Sequence, residues 1–293
     1  MNPDYPYTRF APSPTGYLHR GHILSALWVY ACAKKFGYKV RLRIEDHDKS
    51  RARPEYIDSI REDLEWLGFS WDAESIQSSH EERFEKALEL LKEKGLVYSC
   101  NCSRKFTFEN NPVNGEGEII YQGLCRERNL PFSRENAIRF KISDKTVEWD
   151  DLRLGHFAER PAEQCGDFAL RDRTGLWTYQ FAVAVDDFEE KVGLVVRGED
   201  LRNSTARQIE LSEALGRAQR PLFLHHPLIT DTTGKKLSKR KKSTSIRGEK
   251  QTGKKAEEII GEVCFEAGIS KKQEQLSINN AISLLVTQLT PKF

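Results

Sequence analysis

Residues 9–22 read RFAPSPTGYLHRGH. Pro12 and Pro14 stiffen the chain around Ser13, Gly16 follows, and His19 and His22 flank Arg20-Gly21. A turn needs the prolines and the glycine, but not two histidines and a further glycine at the head of an apolar helix. RFAP reads as the end of a short strand, and GHILSALWVYACAKKFG places apolar residues at helical spacing, with Gly37 as a stop. YKVRLRIED alternates Val40, Leu42 and Ile44 with Arg41 and Arg43, the period of a strand. RPEYIDSIREDLEWLG opens on Pro54 in a first-turn position and repeats Ile57, Ile60, Leu64 and Leu67 before Gly68. Strand, helix, strand, helix predicts an α/β fold with a parallel, Rossmann-like sheet. The opening motif then lies at a strand end leading into a helix, where doubly wound folds bind nucleotides.

The pattern changes at Cys100. From there to about residue 178 come short strands such as AIRFKI and DFALRD with turns between them, read as an insertion and not a continuation of the sheet. GLVVRGED (193–200) is again a strand ending in charged residues, followed by a helical stretch to Leu215. PLFLHHPLI is a last apolar strand, and helical segments are predicted near 255–267 and 274–289.

The 293 residues suffice for a sizeable core, and 38% apolar with 31% charged residues is the balance of an ordinary soluble chain. The net charge of +2 conceals residues 235–255, where ten Lys or Arg face one acid, Glu249. Such a run is either a solvated segment or a polyanion contact. The longest clean apolar run, Ile23 to Ala33, is too short for a bilayer. The start MNPDYPYTRF lacks the basic-then-apolar pattern of a signal peptide, so a cytoplasmic chain without membrane association is expected.

Chemistry concentrates in three places. At a helix N-terminus, unpaired N–H groups and the dipole favour an anion; His19 and His22 could donate to phosphate oxygens while Gly21 lets a ligand approach. The alternative is a helix cap with incidental histidines. Second, KKLSKR (235–240) places lysines three apart around a serine, a pattern able to meet a polyphosphate. Third, Cys100 and Cys102 in CNC and Cys125 in YQGLC suggest Zn²⁺, with the fourth ligand open, against the alternative of three reduced thiols.

Together, HRGH (19–22) and KLSKR (236–240) resemble the two signatures of the class I aminoacyl-tRNA synthetases. RFAPSPTGYLH, RIED, YQFAVAVDD, VRGED and GKKLSKR are similar to the glutamyl branch of that family, a resemblance running through residues 9–240. It implies a division into 1–98 and 179–225 as halves of the catalytic domain. Residues 99–178 become an inserted acceptor-binding region with a zinc site, and 226–293 the KLSKR loop with a short helical, stem-contact-like region. Only 53 residues follow Arg240, fewer than an anticodon-binding domain requires. The chain is therefore expected to be similar to the short members of this branch. These activate L-glutamate with ATP without needing tRNA, and place it on the queuosine base of tRNA(Asp). A truncated glutamyl-tRNA synthetase charging a tRNA 3′ end is the second reading. A non-catalytic RNA-binding paralogue is the third, which the joint presence of both signatures and a glutamate pocket argues against.

The resemblance implies that His19, Gly21, His22 and Lys239 bind ATP, with His19, His22, Lys236 and Lys239 acting in catalysis. Glutamate would meet Arg9, Phe10, Ala11, Pro12, Ser13, Glu45, Tyr179 and Arg197. The two arginines could each clamp a carboxylate, which one takes the side chain being open, and Glu45 would face the α-ammonium. Mg²⁺ would accompany ATP. The resemblance also assigns Tyr121 as fourth ligand, beside Cys100, Cys102 and Cys125, of one structural Zn²⁺. The expected species is a monomer.

Overall fold

Strand β1 (Tyr7–Phe10) leads through the Pro-Ser-Pro turn into α1 (Arg20–Phe36), followed by β2 (Lys39–Ile44), α2 (Pro54–Trp66) and β3 (Ala73–Ile76). The structure, a computed structural model, describes residues 3–48, 50–228 and 245–290. Nine buried residues give α1 its core face, and it ends where Gly37, at φ 79°, donates its N–H to Ala33. Pro54 opens α2, where a missing N–H costs nothing. The chain continues through α3 (Glu81–Glu93), β4 (Val97–Cys100), α4 (Arg104–Glu109), β5 (Ala137–Phe140), β6 (Val147–Asp151) and β7 (Gly155–Glu159). Then come α5 (Pro161–Gln164), β8 (Ala169–Arg171), α6 (Tyr179–Glu189), β9 (Val192–Gly198), α7 (Thr205–Ala214) and β10 (Leu222–His226). Helices α8 (Ile246–Gln251), α9 (Ala256–Glu266) and α10 (Ile278–Gln288) follow.

The large sheet has seven strands in the order β3-β2-β1-β9-β10-β6-β7. Every neighbouring pair is parallel except β6 with β7. The predicted Rossmann-like sheet is therefore present. Its middle strand β9, VGLVVRG, is buried along nearly its whole length, as a strand covered on both faces must be. The order reverses between β1 and β9, so the strand ends there splay apart into a crevice.

The stretch 99–178 does not behave as one insertion. β4, β5 and β8 form a separate antiparallel sheet, but β6 and β7 extend the large sheet beyond β10. Val147, Trp149 and Asp151 are the buried residues of β6, an alternation that fits either sheet. Its partner β10 lies far along the chain, so local pattern could not tell which sheet would take it. Helices α9 and α10 fall where the periodicity put them, and Ile259, Ile260, Val263, Ala281, Ile282 and Leu285 join the core around α1. Among the described residues, no helix is long and apolar enough to cross a membrane.

Candidate active site

A cavity of about 570 Å³ opens at the carboxyl ends of β1, β2 and β9, the point where strand order reverses. It is lined by Arg9, Phe10, Ala11, Pro12, Ser13, Glu45, Tyr179 and Arg197, together with His19 and His22. Every residue expected to meet glutamate and both signature histidines thus share one space. Lys236 and Lys239 lie outside the described residues. Ser25, Leu201 and Ser245 also line the cavity, and nothing in the sequence pattern singled them out.

The two histidines are helix caps and remain chemically useful. His19, in extended conformation, accepts the N–H of Gly21 on Nδ1 at 3.1 Å, and His22 Nδ1 accepts the N–H of His19 at 3.1 Å. A neutral imidazole that accepts on Nδ1 carries its proton on Nε2. Capping therefore sets both rings as Nε2–H donors, with centroids 3.9 Å apart at the N-terminus of α1. A Cβ on Gly21 would lie 3.0 and 3.1 Å from ring atoms of His19, so the glycine makes room for that imidazole. Gly21 is not among the cavity-lining residues. Arg20 is tied away from them, pairing with Glu249 at 2.7 Å and with Glu262 and Glu266.

The two arginines differ in company. Arg9 donates from Nε to Asp187 at 2.9 Å and from Nη1 to the Val196 carbonyl at 3.1 Å. Asp187 also accepts from Arg43 at 2.8 Å, and Arg43, fully buried, reaches Glu190 and Glu45 at 3.2 Å. Burial alone would raise the Asp187 carboxyl, but Arg9 and Arg43 outweigh it and hold it at about 2. Arg197 instead donates to three neutral acceptors: His225 Nε2 at 3.0 Å, Gln208 at 2.7 Å and Thr205 at 2.8 Å. Among the described residues, no carboxylate lies within ion-pair distance of Arg197. Burial pulls its guanidinium below the usual value, and burial likewise pushes the Tyr179 phenol up. A buried cation lacking a counter-charge, in a cavity, is a place for an anion.

Arg43, Asp187, Asp151 and His225 escaped the reading of the sequence. One signal for Arg43 was available: in a strand, residues two apart share a face, so Arg43 must accompany Glu45. Nothing local announces that Asp187, 144 residues on, completes that pair.

The basic run is partly committed elsewhere. Arg247 pairs with Glu62, and Lys254 with Glu249 and Glu262 at 3.1 and 2.7 Å, so these two cations of the run are matched by acids of this chain. Residues 235–244 lie outside the described residues.

The cysteine cluster sits at the end of β4. The sulfurs of Cys100, Cys102 and Cys125 lie within 4.8 Å of one another, none in a disulfide. Tyr121 Oη stands 3.3 Å from Cys100 Sγ and 3.4 Å from Cys102 Sγ. Zinc–sulfur bonds of about 2.3 Å place tetrahedral ligands roughly 3.8 Å apart, so the thiols can close on one ion with little movement. Arg139 donates to Cys100 Sγ at 3.3 Å and stacks 3.6 Å over the Tyr121 ring, which favours negative charge on the cluster. Without a cation, burial pushes Cys102 up to about 11 and Tyr121 upward. Burial also opposes ionisation of Cys125, but bonds from Tyr121 and Cys102 bring its thiol down to about 7. The cluster is consistent with a zinc site.

The cavity lies at the strand-order reversal of a parallel α/β sheet, and comparison with known proteins gives the class of protein. Residues 7–288 match the family of class I tRNA synthetases (E and Q), catalytic domain, and the chain belongs to that family. It is 38% identical to the glutamyl-Q tRNA(Asp) synthetase of Nitratidesulfovibrio vulgaris, the match covering 97% of this chain and 93% of that one. It is 42% identical to the enzyme of the same name from Geobacter sulfurreducens, over 81% of this chain and 76% of that one. Among solved structures, the glutamate-tRNA synthetase of Elizabethkingia anophelis superposes with a TM-score of 0.76 at 29% identity. That match covers 94% of this chain but only 64% of the synthetase.

Proposed function

We propose that this chain activates L-glutamate with ATP, without tRNA, and transfers it to the queuosine base in the anticodon of tRNA(Asp). The observation that carries the reading is Arg197, a buried guanidinium with no carboxylate partner among the described residues, in the cavity that also holds Glu45 and the two histidines. Glutamate would supply a carboxylate for Arg197, an ammonium beside Glu45, which Arg43 already holds on one side, and a second carboxylate directed at ATP. The side-chain carboxylate belongs on Arg197. A two-pronged guanidinium clamp quenches a nucleophile, so the reacting α-carboxylate must sit elsewhere.

Activation is in-line attack by an α-carboxylate oxygen on the α-phosphorus, forming glutamyl-adenylate and releasing pyrophosphate. No protein nucleophile is required, and positioning with charge stabilisation does the chemistry. His19 and His22 donate from Nε2 to phosphate oxygens at the head of α1. Lys236 and Lys239 neutralise the departing pyrophosphate, and Mg²⁺ brought with ATP would add counter-charge to the phosphates. Cys100, Cys102, Cys125 and, as phenolate, Tyr121 would hold one zinc, which supplies a structural cross-link between β4 and the loop carrying Tyr121 and Cys125.

The test is glutamate-dependent pyrophosphate–ATP exchange in RNA-free solution, with glutamine and aspartate as controls, then labelled glutamate offered to separate tRNAs. Label is expected on queuosine-containing tRNA(Asp), none on the same tRNA from cells unable to make queuosine, and none on tRNA(Glu). Label on tRNA(Glu), lost after periodate treatment of the 3′ ribose, would favour the synthetase reading instead. The identities, 38% and 42% to the tRNA(Asp) enzymes against 29% to the glutamate-tRNA synthetase, favour the first.

A further inference from the structure

Arg197 Nε donates to His225 Nε2 at 3.0 Å, which is possible only if that nitrogen is unprotonated. The reason lies one residue further in. His225 Nδ1 stands 2.6 Å from Oδ2 of Asp151, and a carboxylate can only accept, so the ring proton is on Nδ1. Asp151 is itself held in place. Its Oδ1 accepts the N–H groups of Arg153 and Leu154 at 2.9 and 2.8 Å, and its Oδ2 the N–H of His225 at 2.9 Å. Asp151 and His225 are fully buried, on the neighbouring strands β6 and β10.

A guanidinium carries five N–H protons. His225, Gln208 and Thr205 take one each, from Nε, Nη1 and Nη2, and the Tyr179 hydroxyl also bonds the guanidinium, so a substrate carboxylate would meet its Nη edge in the company of Tyr179. A carboxylate in place of His225 would orient Arg197 equally well but would cancel its charge, as Asp187 does for Arg9. A protonated imidazole would set N–H against N–H. Only a neutral ring with a lone pair on Nε2 orients the guanidinium and leaves its attraction for a substrate anion intact.

We infer that Asp151 and His225 form a positioning relay that fixes Arg197 for the side-chain carboxylate of the amino-acid substrate and sustains discrimination against its amide. The inference rests on reading the cavity as a glutamate site. Neither residue touches substrate; both act through Arg197. Asp151→Asn could offer an amide N–H to Nδ1, driving the ring to the tautomer with a proton on Nε2, opposed to Arg197. His225→Asn removes the acceptor at the Nε2 position. In His225→Gln, the longer side chain can bring its carbonyl oxygen to that position.

The experiment measures glutamate, glutamine and ATP kinetics by pyrophosphate exchange for these variants, with thermal melts, and records the ¹⁵N spectrum of histidine-labelled protein. The wild type should show His225 protonated on Nδ1 and bare on Nε2. His225→Asn and Asp151→Asn should raise the glutamate KM roughly ten- to one-hundred-fold and shrink the glutamate-to-glutamine preference in step. The ATP KM should stay within about two-fold, and His225→Gln should recover most of the loss. A proton on Nε2 in the wild type, or an unchanged glutamate KM in both disruptive variants, would overturn the relay. So would glutamate and ATP kinetics worsening together with a lowered melt and no rescue by glutamine, the mark of a structural role. Should His225→Asn fail to fold, the isosteric Asp151→Asn and the spectrum decide. Wild-type protein that neither binds nor activates glutamate would bring down the function reading and the relay with it, an outcome visible before any variant is made.

Discussion

Around the cavity, Arg9 meets Asp187, Arg43 meets Asp187, Glu190 and Glu45, and Arg197 meets three neutral acceptors held by their own partners. Around the cysteines, three sulfurs and a phenol converge with Arg139 beside them. In the first region Arg9 and Arg43 are neutralised by acids of this chain, while Arg197 meets only neutral acceptors. The second is a set of acids that can all ionise together only around a cation. Among the described residues, no cavity-lining residue comes from between Glu45 and Tyr179, so the small sheet and its cysteines contribute nothing to the cavity wall. The difference is that one region leaves a buried guanidinium facing a cavity without a carboxylate, and the other gathers thiols in an arrangement consistent with a zinc site.

The comparison can be broken most sharply at Arg197. Replacing it by Met, similar in reach but uncharged, should lower glutamate-dependent exchange by about a thousand-fold in kcat/KM, the scale of losing a buried charge pair. The melting temperature should stay within a few degrees, since no carboxylate among the described residues loses its partner. A large fall in stability with modest loss of activity would make Arg197 a structural ion instead.

The second region should answer in the opposite way. Cys125→Ser should reduce bound zinc, measured by elemental analysis after dialysis, from about one per chain to nearly none. The melting temperature should drop by roughly 5–10 °C, because binding free energy is folding free energy. Exchange without tRNA should survive far better than transfer to tRNA. Fully folded, metal-free wild-type protein would remove the contrast.

Acid sharpens the comparison within the cavity. Burial, opposed by Asp151 and reinforced by Arg197 and His226, holds the His225 imidazole down at about 4. The unfolded chain takes up that proton near pH 6.5, the native protein only near 4, so stability falls as pH drops between the two. Wild type should therefore lose about 2–3 kcal/mol more than His225→Gln between pH 7 and 4.5, read by chemical denaturation at both values. Parallel losses in the two proteins would mean that His225 is charged in the native state.

The smallest effect is expected at Gly21→Ala. The new methyl would press on the His19 ring at 3.0 and 3.1 Å and shift one phosphate donor. The ATP KM should rise about three-fold with the glutamate KM unchanged, a change of well under 1 kcal/mol. An effect on glutamate alone would show that the glycine serves the amino-acid side.

Much of this molecule was legible before folding. The alternation of β1, α1, β2 and α2, the helix stop at Gly37, and the cysteines at 100, 102 and 125 are short-range matters of periodicity, capping and ligand type. They act over a few residues and so leave their mark in a few residues. Even the histidines carried their meaning locally, for the capping that selects Nε2 as donor is a contact of Gly21 with His19 and of His19 with His22. Which sheet would receive β6 was decided only by tertiary structure, because an alternating strand fits any open edge with a complementary face. So was the charge state of the cavity. Arg9 finds Asp187 across 178 residues and His225 finds Asp151 across 74, and no propensity acts over such separations. The sequence determined which acids and bases the chain possesses and where its helices and strands begin. Packing determined which of them neutralise one another, and so left Arg197 charged, oriented and unmatched by any carboxylate among the described residues, since burial makes the energy of a charge depend on its neighbours in space and not along the chain.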